Sequence, residues 1–149
     1  MIRRLAVVTL LALAGAVTVA AHQKPNFSGT WTAISPADQA GNVIHVKHDG
    51  NTLTQSHAAE GPDHSTTYTL DGKETRSVMQ SHGQDMVTLS TATWNNEKLT
   101  IVDRTTYPDG RKGEIKQVWS LDAKGQLVIE VTTNSAGQPI NVTVVHQKK

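Results

Sequence analysis

The chain has 149 residues, with 14 Lys and Arg against 13 Asp and Glu and no cysteine. That length suits one domain with a packed core, and a near-neutral charge without a basic cluster lacks the electrostatic footprint of a nucleic-acid binder. The absence of cysteine excludes disulfides, thiolate zinc sites, iron–sulfur clusters and cysteine nucleophiles.

The amino terminus reads first. Met1-Ile2-Arg3-Arg4 is basic, Leu5 to Ala20 carries no charge, and Val19-Ala20-Ala21 offers small residues for cleavage. This is the order of a secretory signal peptide over residues 1–21. The apolar run is about 16 residues, short of the roughly 20 that a bilayer-spanning helix needs. No Cys lies near the site, which excludes a lipidated cysteine as anchor. Cleavage at Ala21–His22 would leave a single domain, residues 22–149, secreted or periplasmic and with no stable membrane anchor. Losing Arg3 and Arg4 would bring the net charge to about −1.

From there turn signals recur at an even beat. Asp49-Gly50, Gly61-Pro62-Asp63, Asp71-Gly72, His82-Gly83, Asn95-Asn96, Pro108-Asp109-Gly110, Ala123-Lys124-Gly125 and Ala136-Gly137 mark reversals. Runs rich in Val, Ile, Thr, Leu and Trp lie between them, the composition of pleated strands joined by hairpins. Ten strands are predicted: Ser28–Ile34, Asn42–His48, Asn51–His57, Ser65–Leu70, Lys73–Met79, Asp85–Trp94, Lys98–Tyr107, Glu114–Leu121, Gln126–Thr133 and Ile140–Gln147. Ser35 to Gly41 interrupts the first two, with Pro36 placed to open a short helical turn capped by Ser35.

Alternation is clearest late in the chain. Leu99, Ile101 and Asp103 share a face, as do Ile115, Gln117, Trp119 and Leu121; Leu127, Ile129 and Val131; and Ile140, Val142, Val144 and His146. One apolar face per strand, with no helix to cover it, predicts a sheet that covers itself. The fold class is all-β, an antiparallel up-and-down meander barrel of 8–10 strands. Closure hides the edges of so long a meander. Gln117, Asp103 and His146 interrupt the apolar phase, which a hole or a wet end would explain.

Asn26-Phe27-Ser28-Gly29-Thr30-Trp31 opens the domain, and its Gly-x-Trp on a first strand resembles the lipocalin (calycin) signature, in which the Trp plugs the closed end of the barrel. With Tyr68–Glu74, Ala92–Leu99 and Val118–Leu127 it is similar to small exported bacterial proteins described as lipocalin-like or of unknown function. The resemblance implies a lipocalin-like barrel and ligand binding inside it. Two departures stand out. Lipocalins usually stack an Arg of a late strand on the Trp, whereas Ile140 to Gln147 holds none and Lys148 is the nearest cation. The cysteine pair common in secreted lipocalins is absent as well. Ten strands also suit the fatty-acid-binding barrels, but Ser35 to Gly41 is too short for their helix pair.

Catalytic signals are lacking. There is no Gly-x-Ser-x-Gly elbow, no Gly-x-Gly-x-x-Gly and no phosphate loop. Histidine is the enriched reactive type. His45 and His48, three apart on a strand, point to opposite faces and cannot chelate together. His57 and His64 flank a loop with Glu60 and Asp63, a donor set that suits Zn²⁺ or Cu²⁺; polar loops also collect such residues without function. His22 would be amino-terminal after cleavage, where copper chelation and a frayed terminus are the two readings. Trp94 lies at a rim beside Asn95-Asn96, and Trp119 is mid-strand and in phase with the core.

The expected function is non-catalytic: an exported protein that holds a small apolar or amphipathic molecule, without cofactor or metal. The expected ligand wall is Ile115, Gln117, Trp119, Leu127, Ile129, Val142 and Val144, alternate positions on three adjacent strands. The alternative is a protein-interaction or inhibitor module acting through the barrel surface and loops. A cavity of roughly 300 Å³ or more would favour the ligand and a solid core the partner.

Overall fold

The computed structural model describes residues 23–60, 65–81, 83–135 and 138–149. The expected signal peptide, His22, His64, His82 and the reversals at 61–63 and 136–137 lie outside the described residues. Ten strands run in chain order: β1 (Gly29–Ser35), β2 (Val43–Asp49), β3 (Thr52–His57), β4 (Ser65–Thr69), β5 (Thr75–Ser81), β6 (Gln84–Asn95), β7 (Lys98–Thr106), β8 (Lys112–Leu121), β9 (Leu127–Ser135) and β10 (Gln138–Lys148). No bound departs from the sequence expectation by more than two residues. The reason is local: Asp-Gly or Asn-Asn turns end the runs at Asp49-Gly50, Asp71-Gly72, Asn95-Asn96 and Asp109-Gly110. At Asp49-Gly50, for instance, Gly50 takes φ +55°, a conformation a side chain would strain, and the Thr52 hydroxyl donates to Asp49 O.

All ten strands pair antiparallel in one sheet, ordered β4-β3-β2-β1-β10-β9-β8-β7-β6-β5. The first and last strands of the chain are therefore neighbours, with Trp31 opposite Lys148 and Ala33 opposite His146. The meander closes to a barrel with one seam, between β4 and β5. Across that seam Gly72 N donates to Ala92 O at 3.0 Å. Tyr68 of β4 reaches over to donate to Asp103 Oδ2 of β7 at 3.2 Å.

Ser35 to Gly41 does not form the expected helical turn. A bulge between Ala33 and Ser35 shifts the register just before the β1–β10 ladder ends at Ser35 opposite Val145, and the Ser35–Pro36 peptide is cis. Successive bonds from Gln39 N to Pro36 O and from Asn42 N to Gln39 O make tight turns instead. The segment must return to pair with β1 at once, through Ala33 N to Asn42 O, and this leaves no length for a helix.

The core is concentrated at one end. Phe27, Trp31, Leu53, Leu99, Ile101, Trp119 and Leu127 are fully buried there. The long strands β6, β8 and β10 are buried only in the half that reaches this end, and their other halves are half-buried or exposed. The interior is thus plugged at the amino-terminal end and opens toward the β1–β2 connection.

Candidate functional site

The plug is built from aromatic rings. Trp31 Nε1 donates to Phe27 O at 2.8 Å, which ties the Trp to the segment that enters the barrel. Phe27 stacks on Trp94 and on His48, with centroids 5.8 and 5.9 Å apart, and meets Trp119 edge-on at 5.7 Å. These are the offset and T-shaped geometries aromatic quadrupoles favour. Phe27 N donates to His48 Nδ1, and burial holds His48 below the usual imidazole pKa. His45 faces outward to Thr30 Oγ1, so the two histidines of the pair are on opposite faces. Lys148 Nζ lies over the Trp31 ring, 5.4 Å from its centroid, and Lys24 Nζ is equally far from that of Trp94.

Above the plug the strands enclose a half-open cavity of about 270 Å³. Ala33, Ile44, Ile129, Val131 and Val144 make its apolar wall. Gln55, His57, Gln117 and His146 supply polar groups, and Gln39 and Asn42 lie at the β1–β2 side of the mouth. Among the described residues no Asp, Glu, Lys or Arg lines it. Gln117 Oε1 accepts from Trp119 Nε1 at 3.0 Å, so the cavity wall is hydrogen-bonded directly to the plug. The Gln55 amide and His57 Nε2 are hydrogen-bonded to each other at 3.0 Å.

Two side chains of the wall hold unsatisfied atoms. Gln55 Oε1 and His146 Nδ1 are buried and have no hydrogen-bond partner. His146 is only 5% exposed. Burial pushes its pKa down, and the nearby His57 opposes a second positive charge. Buried polar atoms without partners are rare in folded proteins, and each calls for an explanation.

A second polar cluster bridges β4, β6 and β7. Asp103 accepts from Ser90 Oγ at 2.6 Å and from Tyr68 Oη at 3.2 Å. Burial, then the Asp103 carboxylate, push the Tyr68 phenol well above its ordinary pKa, so it stays protonated as the donor. All the polar interruptions of the apolar phase are accounted for: Asp103 belongs to this cluster, and Gln117 and His146 to the cavity.

The expected ligand wall divides into three groups. Gln117, Ile129 and Val144 line the cavity. Trp119 and Leu127 are fully buried beneath it, in the plug. Ile115 and Val142 are 42% and 36% exposed, out toward the open end where the barrel is not packed across. Phase alone sets which side of the sheet a residue faces; height along the strand sets which of the three levels it reaches. Ala33, Ile44, Gln55 and His57 escape a reading based on the last strands. The β3 run Thr-Leu-Thr-Gln-Ser-His has one apolar residue, so its alternation is hard to see, although Leu53, Gln55 and His57 are in phase.

No protein-family model matches the chain, and no curated protein matches it. Among solved structures it is similar to the crystal structure of a luciferase domain from the dinoflagellate Lingulodinium polyedrum, with a TM-score of 0.52 at 12% identity. The likeness covers 79% of this chain and 41% of that one. The fold is a lipocalin-like barrel. At this identity the likeness speaks for the fold alone, and this chain spans less than half the length of that luciferase chain. Lys148, carried on the last strand and seated on Trp31, occupies the place the lipocalin pattern gives to an Arg. Among the described residues no group of three His, Asp or Glu is placed to hold a metal ion. His57 faces the cavity, while its proposed partner His64 lies outside the described residues.

Proposed function

We propose that this protein is an exported, non-catalytic carrier or sensor that holds one small, partly apolar molecule in the barrel cavity. The carrying observation is the half-open cavity of about 270 Å³, with apolar walls and two buried polar atoms that lack partners. An apolar enclosure with a few convergent polar groups is the usual form of a small-molecule site, and at about 270 Å³ this one falls just below the usual range of roughly 300 to 1,000 Å³. A compact ligand follows from that size. Export is part of the proposal and rests on the residue order of segment 1–21.

The test is titration of the purified protein with a neutral apolar fluorophore, N-phenyl-1-naphthylamine, followed through probe emission and through quenching of tryptophan. Saturable binding with one probe per chain is expected. Absence of saturable binding overturns the proposal and favours an interaction module acting through the barrel surface. Mass spectrometry of small molecules that co-purify with the native protein would then name the class of ligand.

A further inference from the structure

The lining of the cavity specifies its occupant more narrowly than "small and apolar". Among the described residues it holds no formal charge. A carboxylate or ammonium brought into it would lose its water without gaining an ion pair, a cost far larger than that of burying a neutral polar group. The buried His146 imidazole is a poor counterion for a carboxylate. His146 is buried, which favours its neutral form, and His57 beside it opposes its protonation. His57 is itself held by Gln55, 3.0 Å from its Nε2.

Unsatisfied atoms set a second requirement. One arm of the Gln55 amide is left without a partner, and a hydroxyl, which both donates and accepts, satisfies it in either amide orientation. A hydrocarbon cannot do so. His146 Nδ1 takes a donor or an acceptor according to its tautomer, and a hydroxyl offers both. The volume of about 270 Å³ leaves room for a compact body of one to three rings, packed against Ile44, Ile129 and Val144.

We infer that the cavity binds an uncharged hydroxyl compound with a compact apolar body, a simple phenol or alicyclic alcohol, through Gln55, and discriminates against the matching carboxylate. This rests on the binding function proposed above and names the class of ligand for the same site.

Three compounds of one shape test it on the full protein in neutral buffer: 4-ethylphenol, ethylbenzene and 4-ethylbenzoate, each displacing N-phenyl-1-naphthylamine or measured directly by calorimetry. 4-Ethylphenol should bind about tenfold more tightly than ethylbenzene, the worth of one satisfied buried polar group. 4-Ethylbenzoate should bind most weakly of the three. Gln55→Leu should bring 4-ethylphenol down to the level of ethylbenzene while ethylbenzene itself still binds. The ranking in the parent protein tests the inference even if that variant folds poorly. Equal affinity for phenol and hydrocarbon overturns the hydrogen-bond requirement, and benzoate binding as tightly as phenol overturns the charge requirement; either leaves the binding function standing. Failure of all three compounds, with no saturable binding of the fluorophore, overturns the binding function and this inference together.

Discussion

The Lys148 ammonium stands over the Trp31 ring, and the two residues are direct partners in the β1–β10 ladder. The chain's last strand thereby clamps its first at the plugged end. The contact couples closure of the sheet to the seating of the plug, because Lys148 reaches the ring only when β10 is in register. Trp31 is anchored from the other side by its bond to Phe27 O.

Trp31→Ala is expected to lower stability by about 3 to 5 kcal/mol, the usual cost of emptying a buried aromatic site. Urea unfolding followed by circular dichroism measures it. Lys148→Met should cost less than about 1 kcal/mol, because the ammonium is exposed and cation–π contacts there are weak. A Trp31→Ala protein that unfolds at the parent's midpoint would mean that the ring plugs nothing.

Gly29 makes room for this contact. A Cβ placed there would come within 2.5 Å of Lys148 Cε, and Gly29 takes φ +149°. Gly29→Ala should therefore destabilise by about 1 to 3 kcal/mol through backbone strain and displacement of the lysine. The two causes separate in a double-mutant cycle with Lys148→Ala. The glycine substitution should cost less when the lysine stem is gone. An unchanged cost would assign the whole effect to the backbone.

Stability should fall as pH drops below about 6.5, the ordinary imidazole value. Burial lowers the pKa of both His48 and His146, against partial opposition from backbone carbonyls and, for His48, from Asp49. Each therefore binds fewer protons folded than unfolded, so acid favours the unfolded chain. Their stabilising contribution is complete above that pH and is lost progressively as pH falls toward the folded pKa values. Protonation of His48 also removes the acceptor for Phe27 N. Thermal melts between about pH 7.5 and 5.5 should show the decline, and His146→Gln should make it shallower. A midpoint that is flat or rises on acidification contradicts the assignment.

Gln117 links ligand to plug. Gln117→Leu leaves the fully buried Trp119 Nε1 without its acceptor, at an expected cost of about 1 to 3 kcal/mol. In the parent, an occupant of the cavity should perturb Trp119 emission through this amide. The variant should still bind apolar probes, with altered preference among them and a smaller tryptophan response. A response of undiminished size would show that the signal bypasses Gln117.

The ten strands, their antiparallel order and the barrel were all legible in the chain, because hairpin turns and period-2 alternation are local codes that each stretch carries by itself. The plug was legible only through the resemblance that the Gly-x-Trp carries together with the three later segments, because the triplet by itself is common. The division of the interior into plug, cavity and open mouth was not legible. Ile115, Trp119 and Gln117 have the same phase on one strand, yet one is half-exposed, one fully buried and one lines the cavity. Register across the β1–β10 closure decides those levels, and it pairs residues more than a hundred positions apart. The same closure brings Lys148 onto Trp31 and sets His146 beside Ala33. Local alternation fixes which side of the sheet a residue faces; only the closed barrel decides what stands opposite it.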